Sequence, residues 1–150
     1  MSVSADTAAA ALAAADGEEA EAVVLAERSG LARFAASEVH QPTLIENVVV
    51  TLRIVRDGKV GVAVTNKVDD DGLASLANRA RAAADSALAE PTFPGLAEPA
   101  ELPATDGFDE ATAKQSPEDQ ARLAAAAIAA AEGLDAYGYY TSGDTELAVR

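Results

Sequence analysis

The sequence predicts an α+β fold, an antiparallel sheet of hairpins with amphipathic helices packed on it. Three segments carry that expectation. Between Leu44 and Asn66 two β-branched runs flank Arg56-Asp57-Gly58-Lys59, and Asp-Gly is a favoured central pair for a type I′ hairpin turn. From Asp70 to Ala89 apolar residues recur at spacings of three and four, the period of a helix with one buried face. Ser116-Pro117-Glu118-Asp119 offers an N-cap, a proline at the first helical position and acids in the first turn.

Along the chain, Ser4 or Asp6 is suited to cap a short Ala-rich helix over residues 6–16, with Gly17 as its stop. Ala22 to Glu27, a Ser29-Gly30 turn pair and a return from Leu31 to Ala36 read as a first hairpin, which Pro42 interrupts because it lacks an amide hydrogen. In the central hairpin, a loop of Asp57 and Gly58 makes cross-strand partner numbers sum to 115. Leu52 then faces Ala63 and Ile54 faces Gly61, large against small, leaving room for a helix. The opposite side, with Val55, Val60 and Val62, is apolar except for Arg53 and Thr51, so partial cover is expected there too. Asp69, Asp70 and Asp71 suit the positive end of a helix over residues 70–89 whose apolar face runs through Leu73, Leu76, Ala77, Ala80, Ala84, Ala87 and Leu88. Residues 90–115, with four prolines and scattered acids, read as an acidic surface loop that hugs the domain through Phe93, Leu96 and Phe108. The Ser116 helix extends to about Glu132 with Leu123, Ala124, Ala127, Ile128 and Ala131 on one side and Gly133 as its stop. Ala136 to Thr141, a Ser142-Gly143-Asp144 turn and Thr145 to Arg150 read as a last hairpin. Its second strand has barely begun at Arg150, so residues 1–150 read as one domain cut from something longer.

The 150-residue chain is 49% hydrophobic, but 38 of those residues are Ala, while Leu, Ile, Val and Phe total only 32. A fifth of the chain as large apolar residues is near the level at which highly charged sequences lose their fold, so marginal stability in isolation is expected. A formal charge of −14 opposes direct nucleic-acid binding, which relies on Lys and Arg replacing counterions. The charge is uneven: residues 90–120 hold eight acids against Lys114, while residues 44–67 hold four bases against Glu46 and Asp57. With no Cys there is no disulfide or thiolate site, and the acids Asp16, Glu18 and Glu19 interrupt the Ala-rich start; no membrane span and a cytoplasmic protein are expected.

Chemistry finds few candidates. One His cannot make a zinc site that needs three or four ligands; His40, before Pro42, is a turn residue or a contact at a subunit or substrate cleft. Ser29-Gly30 and Ser142-Gly143 lack the flanking glycines of a strained nucleophile turn. Asp69-Asp70-Asp71-Gly72 lacks the twelfth-position Glu of an EF-hand, where Ala80 stands. Gly58 and Gly61 lie in a hairpin rather than a phosphate loop, and no base interleaves Tyr137, Tyr139 and Tyr140 as a nucleic-acid platform would require. No catalytic or metal residue is therefore expected. Arg53, Arg56 and Lys59 are either plain hairpin surface charges or a lure for acidic peptides.

The run Arg33-Phe34-Ala35-Ala36-Ser37-Glu38-Val39-His40-Gln41, continuing through Glu46-Asn47-Val48 and Leu52 to Asn66, resembles the opening hairpins of TldD/PmbA ("modulator of DNA gyrase") metallopeptidases. The succession that follows is similar too: a Leu- and Ala-rich helix, an Ala-Glu-Pro acidic loop, a Ser-Pro-Glu helix, then Ala136-Tyr-Gly, Thr141-Ser-Gly and Glu146-Leu-Ala-Val. The order of these pieces carries the resemblance, over nearly all of residues 10–150, and the wording around Arg33 to Gln41 is nearer the PmbA/TldE side. The resemblance implies the amino-terminal domain of a cytoplasmic peptidase complex that trims flexible peptides, working with a family partner subunit as a homo- or heterodimer. It implies zinc in the full complex, held by a His-Glu-x-x-x-His helix that these residues do not contain. Within it, this domain would cradle substrate and form the dimer; the residues themselves, not the resemblance, offer His40, Arg53, Arg56 and Lys59 as candidate substrate or interface contacts. The alternative is a stand-alone, non-catalytic protein-interaction module.

Overall fold

The computed structural model describes residues 3–15, 19–40, 42–100 and 107–150. In chain order the elements are α1 (Val3–Ala15), β1 (Glu19–Ala35), β2 (Glu38–Val39), β3 (Thr43–Arg56), β4 (Lys59–Thr65), α2 (Asp70–Ser86), α3 (Glu110–Ala113), α4 (Pro117–Ala130) and β5 (Gly138–Val149). The strands form one antiparallel sheet in the order β2-β1-β3-β4, with β5 also paired to β1; the fold is α+β as expected. Two compact units divide the chain. One comprises Met1–Ala26, Asn47–Pro103 and Glu146–Arg150, the other Glu27–Glu46 and Ala104–Thr145.

The first unit is built on the β3–β4 hairpin. Its register runs from Val50↔Thr65 to Arg56↔Lys59, each pair summing to 115, and Asp57 and Gly58 take the positive φ values of 50° and 71° that a type I′ turn needs. Val50, Leu52 and Ile54 join Ala22 and Val24 of β1 on one face, under Leu73, Leu76, Ala77 and Ala80 of α2 and Ala8, Ala11 and Ala15 of α1. Small residues let these layers approach closely. A Cβ on Gly61 would overlap the backbone of α2 at Ala80 and Ala84, so the expected space opposite Ile54 is filled by the helix itself. Asp69 caps α2, its Oδ1 accepting from Gly72 N–H at 2.7 Å.

Several boundaries differ from expectation. Helix α1 begins by Val3, and Ser4 lies inside it, fully buried rather than capping; the Gly17 stop lies outside the described residues. The end of α1 is held instead by Arg81, which donates to the carbonyls of Ala14 and Ala15 at 2.9 and 2.8 Å, satisfying acceptors that a helix terminus leaves open. Helix α2 stops at Ser86, with Ala87 extended and Leu88 fully in solvent. The cause is that Glu90 N–H donates to Gly58 O at 2.9 Å, drawing the chain back to the hairpin turn. In the loop, Phe93 and Leu96 are half-buried, and Leu96 N–H donates to Glu19 at 2.8 Å.

The second unit corrects two hairpins. β1 runs unbroken through Ser29-Gly30 and β5 through Ser142-Gly143-Asp144. Neither Ser-Gly pair turns the chain; each thins a strand. A Cβ on Gly143 would overlap the Arg28 carbonyl, and one on Gly30 would overlap the Gln120 side-chain amide. The turn after β1 is at Ala36-Ser37, with φ of 48° and 60°, setting Phe34 opposite Val39. Helix α4 has the expected capping box of Ser116 and Asp119 and ends at Ala130, two residues early. Its buried side chains are Gln120 and Ala124, while Ala127 is exposed and Leu123, Ile128 and Ala131 are half-buried. Gln120 donates to Ser142 Oγ at 2.8 Å. Phe108 is exposed rather than packed, and the supposed structureless loop contains α3, capped by Asp109.

Candidate interaction surface

The face of the first unit's sheet opposite α1 and α2 is the open one. Residues alternate along each strand, so Glu21, Val23 and Leu25 of β1 share this side with Val49, Thr51 and Arg53 of β3. The register adds Val60, Val62 and Val64 of β4. Ala22 and Arg150 exchange both backbone hydrogen bonds, at 2.8 and 3.0 Å, which sets Val23 opposite Val149 and Leu25 opposite Leu147. Leu25, Val62, Val64, Leu147 and Val149 are 39, 48, 51, 57 and 42% exposed. The partial cover expected here is found at Val55, which is 9% exposed, and at Val23, Val49, Thr51 and Val60, which are half-buried. Apolar side chains on the solvent face of an antiparallel sheet depart from the usual polar-out alternation and are the kind of patch that binds something. Arg53 and Glu21 are the charged pair of this face, 3.4 Å apart.

At its margin β4 is an edge strand. In a two-residue hairpin the closing pair Arg56↔Lys59 and every second pair after it are hydrogen-bonded, so Val60, Val62 and Val64 aim their backbone groups outward. The Val64 carbonyl is taken by Arg79 at 3.0 Å.

The basic residues expected to act together are split between the two faces. Arg56 and Lys59 lie on the helix side, where Arg56 pairs with Asp85 Oδ1 at 3.0 Å and Lys59 donates to the Asp85 carbonyl at 3.3 Å. Two cations at the C-terminal turn of α2 complement its dipole, so both help to fasten that helix. Arg53 alone faces outward. His40 belongs to the other unit; it is exposed, at the end of β2, and its amide donates to Arg33 O at 2.7 Å. Sequence reasoning missed Arg79 and Arg81, whose partners are backbone carbonyls of distant segments and leave no local signature.

Perturbed carboxylates lie elsewhere, Asp119 and Asp109 in helix caps and Glu90 in a loop. Asp119 is held below the usual 3.8 by Arg122 and by the backbone and hydroxyl of Ser116. Asp109 is lowered by the hydroxyl and amide of Thr112, and Glu90 by those of Thr92. Among the described residues no group of three or more His, Cys, Asp or Glu side chains is placed to hold a metal ion. No helix among them is long and apolar enough to cross a membrane.

Comparison with known proteins bears on this surface through the fold. A family model, PmbA/TldA metallopeptidase domain 1, matches residues 20–84, the span from β1 to the end of α2. No curated protein sequence matches the chain. Among solved structures, TldE from Thermococcus kodakarensis superposes with a TM-score of 0.72 at 13% identity, over 97% of this chain and 42% of that one. A protein described as a modulator of DNA gyrase from Bacteroides thetaiotaomicron gives 0.69 at 18% identity, over 96% and 39%. One so described from Thermotoga maritima gives 0.59 at 20%, over 93% and 35%. At these identities the likeness is one of fold, and the chain spans less than half the length of each. Family match and fold agree: residues 20–84 match the first domain of the PmbA/TldA metallopeptidases, and the chain's fold is similar to that of these solved structures.

Proposed function

We propose that this domain cradles flexible peptides for a TldD/PmbA-type complex and pairs with a family partner subunit there. The observation that supports this is the open edge of β4. An extended peptide laid along it accepts from the outward amides and donates to the outward carbonyls of Val60 and Val62, and such bonds make few demands on sequence. Arg79 ends the usable edge at Val64. Arg53, on the adjoining face, favours acidic peptide side chains. The reading places the protein in the cytoplasm, leaves zinc chemistry to the rest of the complex, and makes any influence on gyrase indirect, since a charge of −14 opposes contact with DNA.

Val62→Pro tests it by removing one outward amide while leaving the β3 ladder intact, a position where an edge strand tolerates proline. Fluorescence anisotropy with a labelled, unfolded acidic peptide should show binding by the native chain and a loss of roughly fivefold or more in the variant, about the worth of one hydrogen bond. Equal binding by both would remove the β4 edge from the mechanism. Capture of folded proteins without any peptide binding would favour the stand-alone interaction module.

A further inference from the structure

We infer that the open cleft where β4 ends captures the C-terminal carboxylate of the bound peptide, which therefore runs parallel to β4 with its last residue beside Val64. The inference rests on the reading of the β4 edge as a peptide cradle, and it adds a direction and a stopping point. The cleft encloses about 490 Å³ and is lined by Thr65 and Lys67 beyond the strand and by Asp69, Asp71, Ser75 and Arg79 of α2 and its cap. Three observations lead to its assignment.

First, the strand edge stops at the cleft. Arg79 Nη2 donates to Val64 O at 3.0 Å, which removes the next acceptor that a continuing strand would need, while the Val64 amide still points outward in the register of the hairpin. In a parallel ladder, a residue of the added strand donates to one carbonyl and accepts from the amide two residues further on, the bonds evenly spaced and slanted. The residue lodged between Val62 and Val64 thus donates to Val62 O and turns its own carbonyl group to Val64 N–H and the Arg79 guanidinium. A last residue has no onward pairing to lose there, and its carbonyl group is a carboxylate. Second, donors remain for it. Arg79 has more N–H groups than the one it gives to Val64, a guanidinium carrying five. Lys67 is exposed, and among the described residues only its backbone amide is engaged, with Thr65 Oγ1 at 3.2 Å. Third, the cleft is locally balanced on a chain of charge −14, since Lys67 and Arg79 match Asp69 and Asp71. An anion is less repelled there than over the acidic surface at large. Asp69 directs Oδ1 to Gly72 N–H at 2.7 Å, so the first turn of α2 is already capped, and the donors are the strand edge and the side chains of Lys67 and Arg79.

Fluorescence anisotropy of an unfolded acidic peptide, labelled at an internal cysteine, tests this with the peptide as free acid and as C-terminal amide. The free acid should bind about tenfold or more tightly, because charge-assisted bonds are roughly twice as strong as neutral ones. The gap should narrow as salt rises from about 0.02 to 0.5 M. Lys67→Ala should weaken the free acid about fivefold or more and leave the amide unchanged, with circular dichroism unaltered because the side chain is exposed. Equal binding of acid and amide overturns the inference, and so does a Lys67→Ala loss shared by both forms. Sensitivity to N-terminal acetylation in place of amidation overturns it as well, since it puts the peptide antiparallel with its ammonium at Asp71. If the cradle stands while the carboxylate assignment fails, Val62→Pro still weakens acid and amide alike. A native chain that binds neither form sinks the cradle reading and this one together.

Discussion

Ser116 shows how much a single side chain can settle. Its Oγ accepts from Asp119 N–H at 3.1 Å while Asp119 Oδ2 accepts from the Ser116 amide at 3.1 Å, so two orphan donors of α4 are satisfied reciprocally. Ser116→Ala should cost about 1 kcal/mol, measured by urea unfolding at neutral pH. The same box fixes a pH dependence. Because Asp119 is held below its ordinary value in the folded chain, its contribution is complete above the unfolded aspartate pKa of about 3.9 and is lost as pH falls through the lower folded value. The Ser116→Ala deficit should therefore shrink below about pH 4; a deficit constant down to pH 2 would disprove the linkage. This cap was legible because all its parts lie within four residues. The neighbouring Gln120 was not: the apolar stripe through Leu123 and Ala127 pointed to a different face, and only Ser142, 22 residues away, explains why an amide is buried.

At the scale of elements, legibility follows the range of the interaction that decides the outcome. The β3–β4 hairpin was readable to the residue, register included, because Asp57-Gly58 fixes the turn and the turn fixes the pairing. Ser29-Gly30 and Ser142-Gly143 carry the same local signal as a turn, yet both lie within unbroken strands. What they accommodate is the close approach of another segment, and no window of neighbouring residues reports that. The true turn at Ala36-Ser37 uses two residues with positive φ and no glycine, which turn statistics place low. Gly61 joins the two kinds of information, since its role as a small partner for Ile54 was readable while its contact with α2 is tertiary. Gly61→Ala should destabilise by roughly 3 kcal/mol or more, the upper end of overpacking costs, because the obstructing atoms are helix backbone. A loss under 1 kcal/mol by thermal or chemical melt would mean that α2 can lift away freely.

For the whole molecule, the resemblance carried by the order of segments and the family match over residues 20–84 agree on the fold, while the open face escaped sequence reading. The side of β4 expected to be partly covered has Val60 half-buried and leaves Val62 and Val64 48 and 51% exposed. Period alone tells which residues share a side; it does not say whether anything lies against that side. A different property follows from the core beneath. Among the described residues, seven of the thirteen in this core cluster are Ala: 8, 11, 15, 22, 63, 77 and 80. Methyl groups bring the layers close but remove little hydrocarbon area from water, and the heat capacity of unfolding tracks that area. Calorimetry should give an increment below the usual 12–15 cal/mol/K per residue; a value at or above that range would mean far more apolar burial than this core contains. With a small increment the stability curve is shallow, so chilling weakens the fold little and heating melts it over a broad span rather than at a sharp threshold.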